Sequence, residues 1–197
     1  MMVAGEASAD VYGAQLVTQL KMQRSNLVIW GVGGDAMVAA GFEADVQARE
    51  LATAGLTEVL GALPRIYGIL RKLRRLAQQR RPRVAVLMDL PDFNLRLAPH
   101  LKNLGVTVIY YISPQLWAWR SGRVRHIRRW VDRMLCILPF EPEFYHQHGV
   151  PAEYVGHPML NETPTDLDSS KARQALALAP HHEPVVALLP GSRTKEI

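Results

Sequence analysis

The chain has 197 residues, 48% hydrophobic and 21% charged, with a formal net charge of +5. That composition excludes a disordered chain, and the length allows a folded domain to bury roughly 70% of its unfolded surface. The single cysteine, Cys136, excludes an internal disulfide and suits a reducing compartment.

The predicted elements alternate between short apolar runs and helical patterns. Met2-Val3-Ala4 reads as a short strand, and Asp10 to Gln23 as a helix. Leu27 to Trp30 reads as a buried strand followed by Gly31-Val32-Gly33-Gly34, which resembles a phosphate-cradling loop but reads by preference as a tight turn. A short helix follows over Asp35 to Ala40. Leu56, Val59, Leu60 and Leu63 recur at helical spacing, and Ile66, Ile69, Leu70 and Leu73 continue the pattern beyond Pro64. Arg65, Arg71, Lys72, Arg74 and Arg75 stand opposite. Such a basic amphipathic helix can lie on a membrane surface or, the preferred reading, pack on its own sheet. Val84 to Met88 is the strongest strand. A helix from Phe93 to Leu104, a strand from Val106 to Ile112 and a basic helix from Gly122 to Val131 follow. Met134 to Leu138, Phe140 to His148 and Ala152 to Val155 read as strand, helix and strand. The alternation predicts an α/β, Rossmann-like parallel sheet with helices on both faces, spanning residues 1–156. Residues 157–183 read as a linker and one helix, Ser170 to Leu178, capped by Ser169 or Ser170. Residues 184–197 read as a buried strand, Val185 to Leu189, with a turn and a helix start. They are expected to open a second, truncated Rossmann-like domain.

The charge is unevenly spread. Pro64 to Arg133 holds 16 Lys+Arg against Asp89, Asp92 and Asp132, a net +13, whereas the remainder carries −8. Either that segment meets an anionic partner or it presents two solvated basic helix faces. No run approaches the roughly 20 apolar residues of a membrane span, and no signal peptide is visible at the start.

Ligands of open parallel sheets bind at the carboxyl ends of the strands, so residues there are the site candidates. Asp89 ends an all-apolar strand, where partial desolvation raises a carboxylate toward a general base; a structural aspartate is the alternative. Asp92 reads as a helix cap, and Asn94 as a cap or a contact to a substrate hydroxyl. One of Glu6, Ser8 and Asp10 can cap the first helix. His157, between Gly156 and Pro158, reads equally as turn or site. Trp117 and Trp119, followed by Arg120, can stack on a sugar or base, or floor a cleft. Arg125, Arg128 and Arg129 share a helix face that suits phosphate. No His/Cys/Asp/Glu set has metal-ligand spacing, and Cys136 inside a strand reads as inert core.

Several stretches, in order, carry a resemblance. They are Ala4-Gly5-Glu6-Ala7-Ser8-Ala9-Asp10, Gly31-Val32-Gly33-Gly34, Asp89-Leu90-Pro91-Asp92-Phe93-Asn94 and Ser113-Pro114-Gln115-Leu116-Trp117-Ala118-Trp119-Arg120. Leu138-Pro139-Phe140-Glu141, Gly156-His157-Pro158 and Leu188-Leu189-Pro190-Gly191-Ser192-Arg193 complete them. Together they resemble the lipid-A-disaccharide synthase family over nearly the whole chain. The resemblance implies the N-terminal, acceptor-side half of a B-type glycosyltransferase. Such an enzyme moves 2,3-diacylglucosamine from its UDP carrier to the 6-hydroxyl of 2,3-diacylglucosamine 1-phosphate, inverting the anomeric carbon and releasing UDP. It implies Asp89 as the base and no metal or other cofactor. The implied substrate contacts are Glu6, Ser8, Asn94, Ser113, Trp117, Arg120, His157 and Arg193, with Arg193 meeting the donor phosphates. It further implies membrane contact through Leu56, Val59, Leu60, Leu63 and Ile66, residence at the cytoplasmic face of the inner membrane, and a homodimer as candidate assembly; no nucleic acid is expected.

Two departures stand out: Ala9 where glycine is usual, and Leu90 where a smaller residue is common. Most of the nucleotide-binding half is expected beyond Ile197, so the 197 residues alone are expected not to turn over substrate. The competing readings are another B-type transferase acting on UDP-sugars, and a non-catalytic basic α/β module that binds anionic membrane or RNA.

Overall fold

The computed structural model describes residues 1–51, 59–116, 121–161, 168–178 and 184–189. It divides into two compact units, Met1–Pro158 and Met159–Ile197.

The first unit is built on a seven-stranded sheet with every pairing parallel. Its strands are β1 (Met2–Val3), β2 (Trp30–Gly33), β3 (Glu43–Gln47), β4 (Val84–Met88), β5 (Thr107–Tyr111), β6 (Arg133–Cys136) and β7 (Ala152–Tyr154), in the order β3-β2-β1-β4-β5-β6-β7. The expected Rossmann-like architecture is therefore present. The chain winds outward from β1 to β3, crosses back, and winds the other way from β4 to β7. The crevice between β1 and β4 is the switch point at which such sheets bind ligands.

Strand alternation divides the core between the two faces. Met2, Ala4 and Met88 turn toward α1 (Ala7–Gln23) and α2 (Asp35–Ala39), packing with Ala9, Val17 and Met37. Val3, Ala85, Leu87, Val108 and Met134 turn the other way. There they meet Leu70, Leu73 and Ala77 of α4 (Val59–Arg80), Leu97 and Leu101 of α5 (Pro91–Asn103), Ile127 of α6 (Val124–Trp130) and Tyr145 of α7 (Glu141–Gln147). Burial of Ile69, Leu70, Leu73 and Ala77 shows that this part of the basic helix packs on its own sheet. Among the described residues, no helix is long and apolar enough to cross a membrane.

Several local expectations are corrected. The second strand is Trp30–Gly33, so the glycine run is strand rather than turn. Gly31 has φ +136, and a Cβ there would lie 2.2 Å from the Met2 carbonyl oxygen. Only glycine lets β1 and β2 approach so closely, and that requirement outweighs the apolar pull of Leu27 to Ile29. Strand β3 was not foreseen, because an edge strand with one buried residue, Val46, carries little apolar alternation. A four-residue helix, α3 (Ala48–Leu51), follows it.

In the second unit, helix α8 (Ser169–Ala175) is capped by Asp168 rather than by Ser169 or Ser170. The Asp168 carboxylate accepts from the Ser170 and Lys171 amides at 2.9 and 3.4 Å. Val185 to Leu189, expected as a buried strand, is exposed and forms neither helix nor strand. A strand needs a hydrogen-bonded neighbour, and no described segment pairs with this one.

Candidate functional site

The site is built where β1 and β4 end side by side. Chain beyond β4 enters the left-handed region twice in succession, with Asp89 at φ +46 and Leu90 at φ +37. This is strained for residues with a Cβ, so something must hold it. Three groups do. The Asn94 Nδ2 donates to the carbonyls of Met88 and Asp89 at 2.9 and 2.7 Å. The Tyr110 hydroxyl donates to the same Asp89 carbonyl. Helix α5 begins at once, with Leu90 as N-cap and Pro91 in its first turn, and the Leu90 carbonyl accepts from the Phe93 and Asn94 amides. The Leu90 side chain folds onto Gly5, where a Cβ would lie 2.0 Å from its Cδ1, so the larger residue at 90 is accommodated by glycine at 5.

This geometry turns the Asp89 carboxylate toward the start of α1. Its Oδ2 accepts from the Glu6 amide at 3.1 Å, while Oδ1 is buried without a hydrogen-bond partner. Desolvation raises its pKa from the ordinary 3.8 to about 7, and the Glu6 carboxylate adds to the rise. The amides of Glu6 and Gly5 pull the other way. A carboxylate whose pKa is raised this far can take a proton near neutral pH.

The structure treats the other expected site residues differently from one another. Glu6 and Ser8 stand exposed at the start of α1, beside Asp89 in the first case. Asn94 is fully buried, and its Nδ2 holds backbone rather than capping α5. Ser113 is buried beyond β5, beside the Tyr145 hydroxyl and the Cys136 thiol. His157 is half-buried after β7. It follows β7, the edge strand three positions from β4 in the sheet order. Trp117, Arg120, Arg193 and Leu56 lie outside the described residues. Val59 and Leu60 open α4, where Leu63 and Ile66 follow half-buried, and Ile66 packs against the core.

Asp92 is not the expected cap. It sits one residue inside α5, past the Leu90 cap, and pairs with Arg123 at 2.6 Å. Asp10 has a role that its position before a helix did not predict. Inside α1, its carboxylate accepts from the amides of Gly34, Ala36 and Met37 at 2.7, 3.0 and 3.1 Å. It thus fills the N-terminus of α2, where a phosphate would otherwise sit. The Gly33-Gly34 region is therefore closed to an anion by the protein's own carboxylate.

Sequence reading missed Tyr110, Tyr145 and Glu141. Burial pushes both tyrosine hydroxyls well above their ordinary range, so they stay protonated as donors. The Tyr145 hydroxyl donates to the Pro114 carbonyl at 2.9 Å, and buried Glu141 accepts from the Leu138 amide at 3.1 Å. Together they fix the loops after β5 and β6. A tyrosine in an apolar strand signals a buried donor seeking an acceptor, but not which acceptor. Burial also pushes the Cys136 thiol up to about 12, which keeps it in the protonated, unreactive form. Among the described residues, no group of three or more His, Cys, Asp or Glu side chains could hold a metal ion.

The chain matches the family model described as lipid-A-disaccharide synthetase over residues 1–197. It is 52% identical to the lipid-A-disaccharide synthase of Myxococcus xanthus and 51% identical to that of Anaeromyxobacter dehalogenans, covering 100% of this chain and 51% of each relative. It is 45% identical to the synthase of Chromobacterium violaceum, covering 100% of this chain and 50% of that relative. The chain thus spans about half the length of the curated relatives it matches. A whole-length match joined to a seven-stranded Rossmann-like sheet shows that the chain belongs to the lipid-A-disaccharide synthase family.

Proposed function

We propose that this chain forms the acceptor-side half of an inverting glycosyltransferase. The enzyme joins 2,3-diacylglucosamine, carried on UDP, to the 6-hydroxyl of 2,3-diacylglucosamine 1-phosphate. Asp89 is the general base. Its carboxylate takes the proton of the 6-hydroxyl as that oxygen attacks the anomeric carbon of the donor. The bond from the anomeric carbon to the UDP oxygen breaks, UDP leaves, and the β-1′,6 linkage forms. The single observation that carries this reading is the half-buried Asp89 carboxylate at the β1/β4 crevice, its pKa raised to about 7. Family membership supports the substrate class. Arg193 is proposed to meet the donor phosphates. Acylated substrates are proposed to be met at an anionic membrane surface near the start of α4, a reading supported by exposed Arg65, Tyr67 and Arg71 around half-buried Leu63.

The test uses the full-length protein with both lipid substrates and follows UDP release and disaccharide formation. Asp89→Asn should lower kcat by about 10²–10⁴-fold, the usual range for a general base. Only the ionised base works, so kcat/KM of the unmodified enzyme should rise as pH passes about 7. Undiminished turnover by Asp89→Asn would remove Asp89 from the mechanism. Absence of any disaccharide from the folded full-length protein would remove the proposed substrates.

A further inference from the structure

Arg123, Arg125, Arg128, Arg129 and Arg133 take no part in the hydrogen bonds around Asp89, and tertiary structure sorts them. Arg123 is paired with Asp92 at 2.6 Å, and Arg133 with Glu153 at 3.3 Å. Arg129 stands over the Trp130 ring at 4.7 Å. Arg125 and Arg128 make no hydrogen bond or ion pair among the described residues. One helical turn apart on α6, they flank the buried Ile127 and line the groove between α6 and the C-terminal end of α7.

That groove is an open cleft with a volume of about 450 Å³, within the size range of small-molecule sites. Gln147, His148 and Gly149 form its far wall. Gly149 has φ +69, and a Cβ there would lie 3.4 Å from Arg128 Cδ, so the arginine stem rests against bare backbone. His148 is held in place by Nδ1 contact with the Phe144 carbonyl at 2.8 Å. Glu143, a turn earlier on α7, accepts from Gln147 Nε2 at 2.9 Å. Two guanidinium groups therefore border this open cleft, and among the described residues no protein anion is bonded to either. Guanidinium forks match phosphate oxygens in geometry and charge.

We propose that the groove between α6 and α7 is a phosphate-binding site, with Arg125 and Arg128 as its ligands. The ligand is a phosphate group, either free or in a lipid headgroup. The site is separate from Asp89 and does not depend on the catalytic reading.

The experiment titrates the full-length protein with inorganic phosphate by calorimetry in chloride buffer at low ionic strength. In parallel, it measures sedimentation with phosphatidylglycerol vesicles, using phosphatidylcholine vesicles as the uncharged comparison. Each is repeated for Arg125→Ala/Arg128→Ala and Arg125→Lys/Arg128→Lys. The alanine pair should weaken binding at least tenfold, and the lysine pair should keep most of it. Loss of phosphate binding with unchanged vesicle binding assigns a soluble phosphate; loss of phosphatidylglycerol binding assigns the headgroup. If neither ligand loses affinity in a folded alanine pair, the proposal is overturned. Both arginines are exposed, so the substitutions leave the core intact; circular dichroism checks this, and Arg125→Ala alone serves if the pair fails to fold.

Discussion

Replacing Asp89 by asparagine should stabilise the protein, and only where the carboxylate is charged. Asparagine keeps the shape, accepts the Glu6 amide, and tolerates the left-handed backbone at φ +46. What it removes is a charge held away from water. The rise in pKa from 3.8 to about 7 corresponds to an upper bound of ~4 kcal/mol. Asp89 is only half-buried, and solvent screening reduces this to on the order of 2 kcal/mol. The sign follows from proton binding: the folded state takes the proton more readily than the unfolded chain. The penalty is therefore absent below about pH 4, grows as pH rises, and is complete above about pH 7. At about pH 8, Asp89→Asn should melt ~4–8 °C above the unmodified protein. The gap should shrink toward zero near pH 4.5, roughly the unfolded carboxylate range. Thermal unfolding of both proteins at the two pH values measures it. A gap independent of pH, or a less stable Asp89→Asn at the higher pH, would refute the claim that desolvation dominates this carboxylate.

Other predictions rest on the supports of the site. Tyr110→Phe and Asn94→Ala each remove donors from the Asp89 and Met88 carbonyls and should cost ~1–3 kcal/mol. In the full-length enzyme they should lower kcat with little change in KM; an unchanged kcat in both would show that the Asp89 backbone needs neither. Asp10→Ala strips the acceptor from three amides at the N-terminus of α2, that of its N-cap Gly34 among them, and should cost ~1–2 kcal/mol. Hydrogen exchange at Gly34, Ala36 and Met37 should accelerate, and unchanged protection would contradict the capping role. Gly31→Ala forces a Cβ against the Met2 carbonyl and should destabilise by at least ~2–3 kcal/mol in urea unfolding. An effect below ~1 kcal/mol would mean β1 and β2 can separate without loss.

The parallel sheet was legible in the amino-acid order because doubly covered strands are continuous apolar runs. Val84–Met88 was read with the limits it has in the structure. Asp89 was legible for the same reason, since a lone carboxylate ending such a run must be partly desolvated. Local patterns failed where a residue serves an element distant in sequence. Asp10 looked like a cap for its own helix, yet it caps α2, more than twenty residues on, because α1 and α2 pack side by side. Trp30–Gly33 became strand through the demand of β1 for close approach, which no property of the glycine run itself reveals. Sequence spacing placed Arg125, Arg128 and Arg129 on one face, but only packing separated them. Arg129 found a ring, while Arg125 and Arg128 border an open groove. Burial follows from residue type and period, which are properties of the chain. Partnership follows from which elements the sheet order sets side by side, and that exists only once the chain has folded.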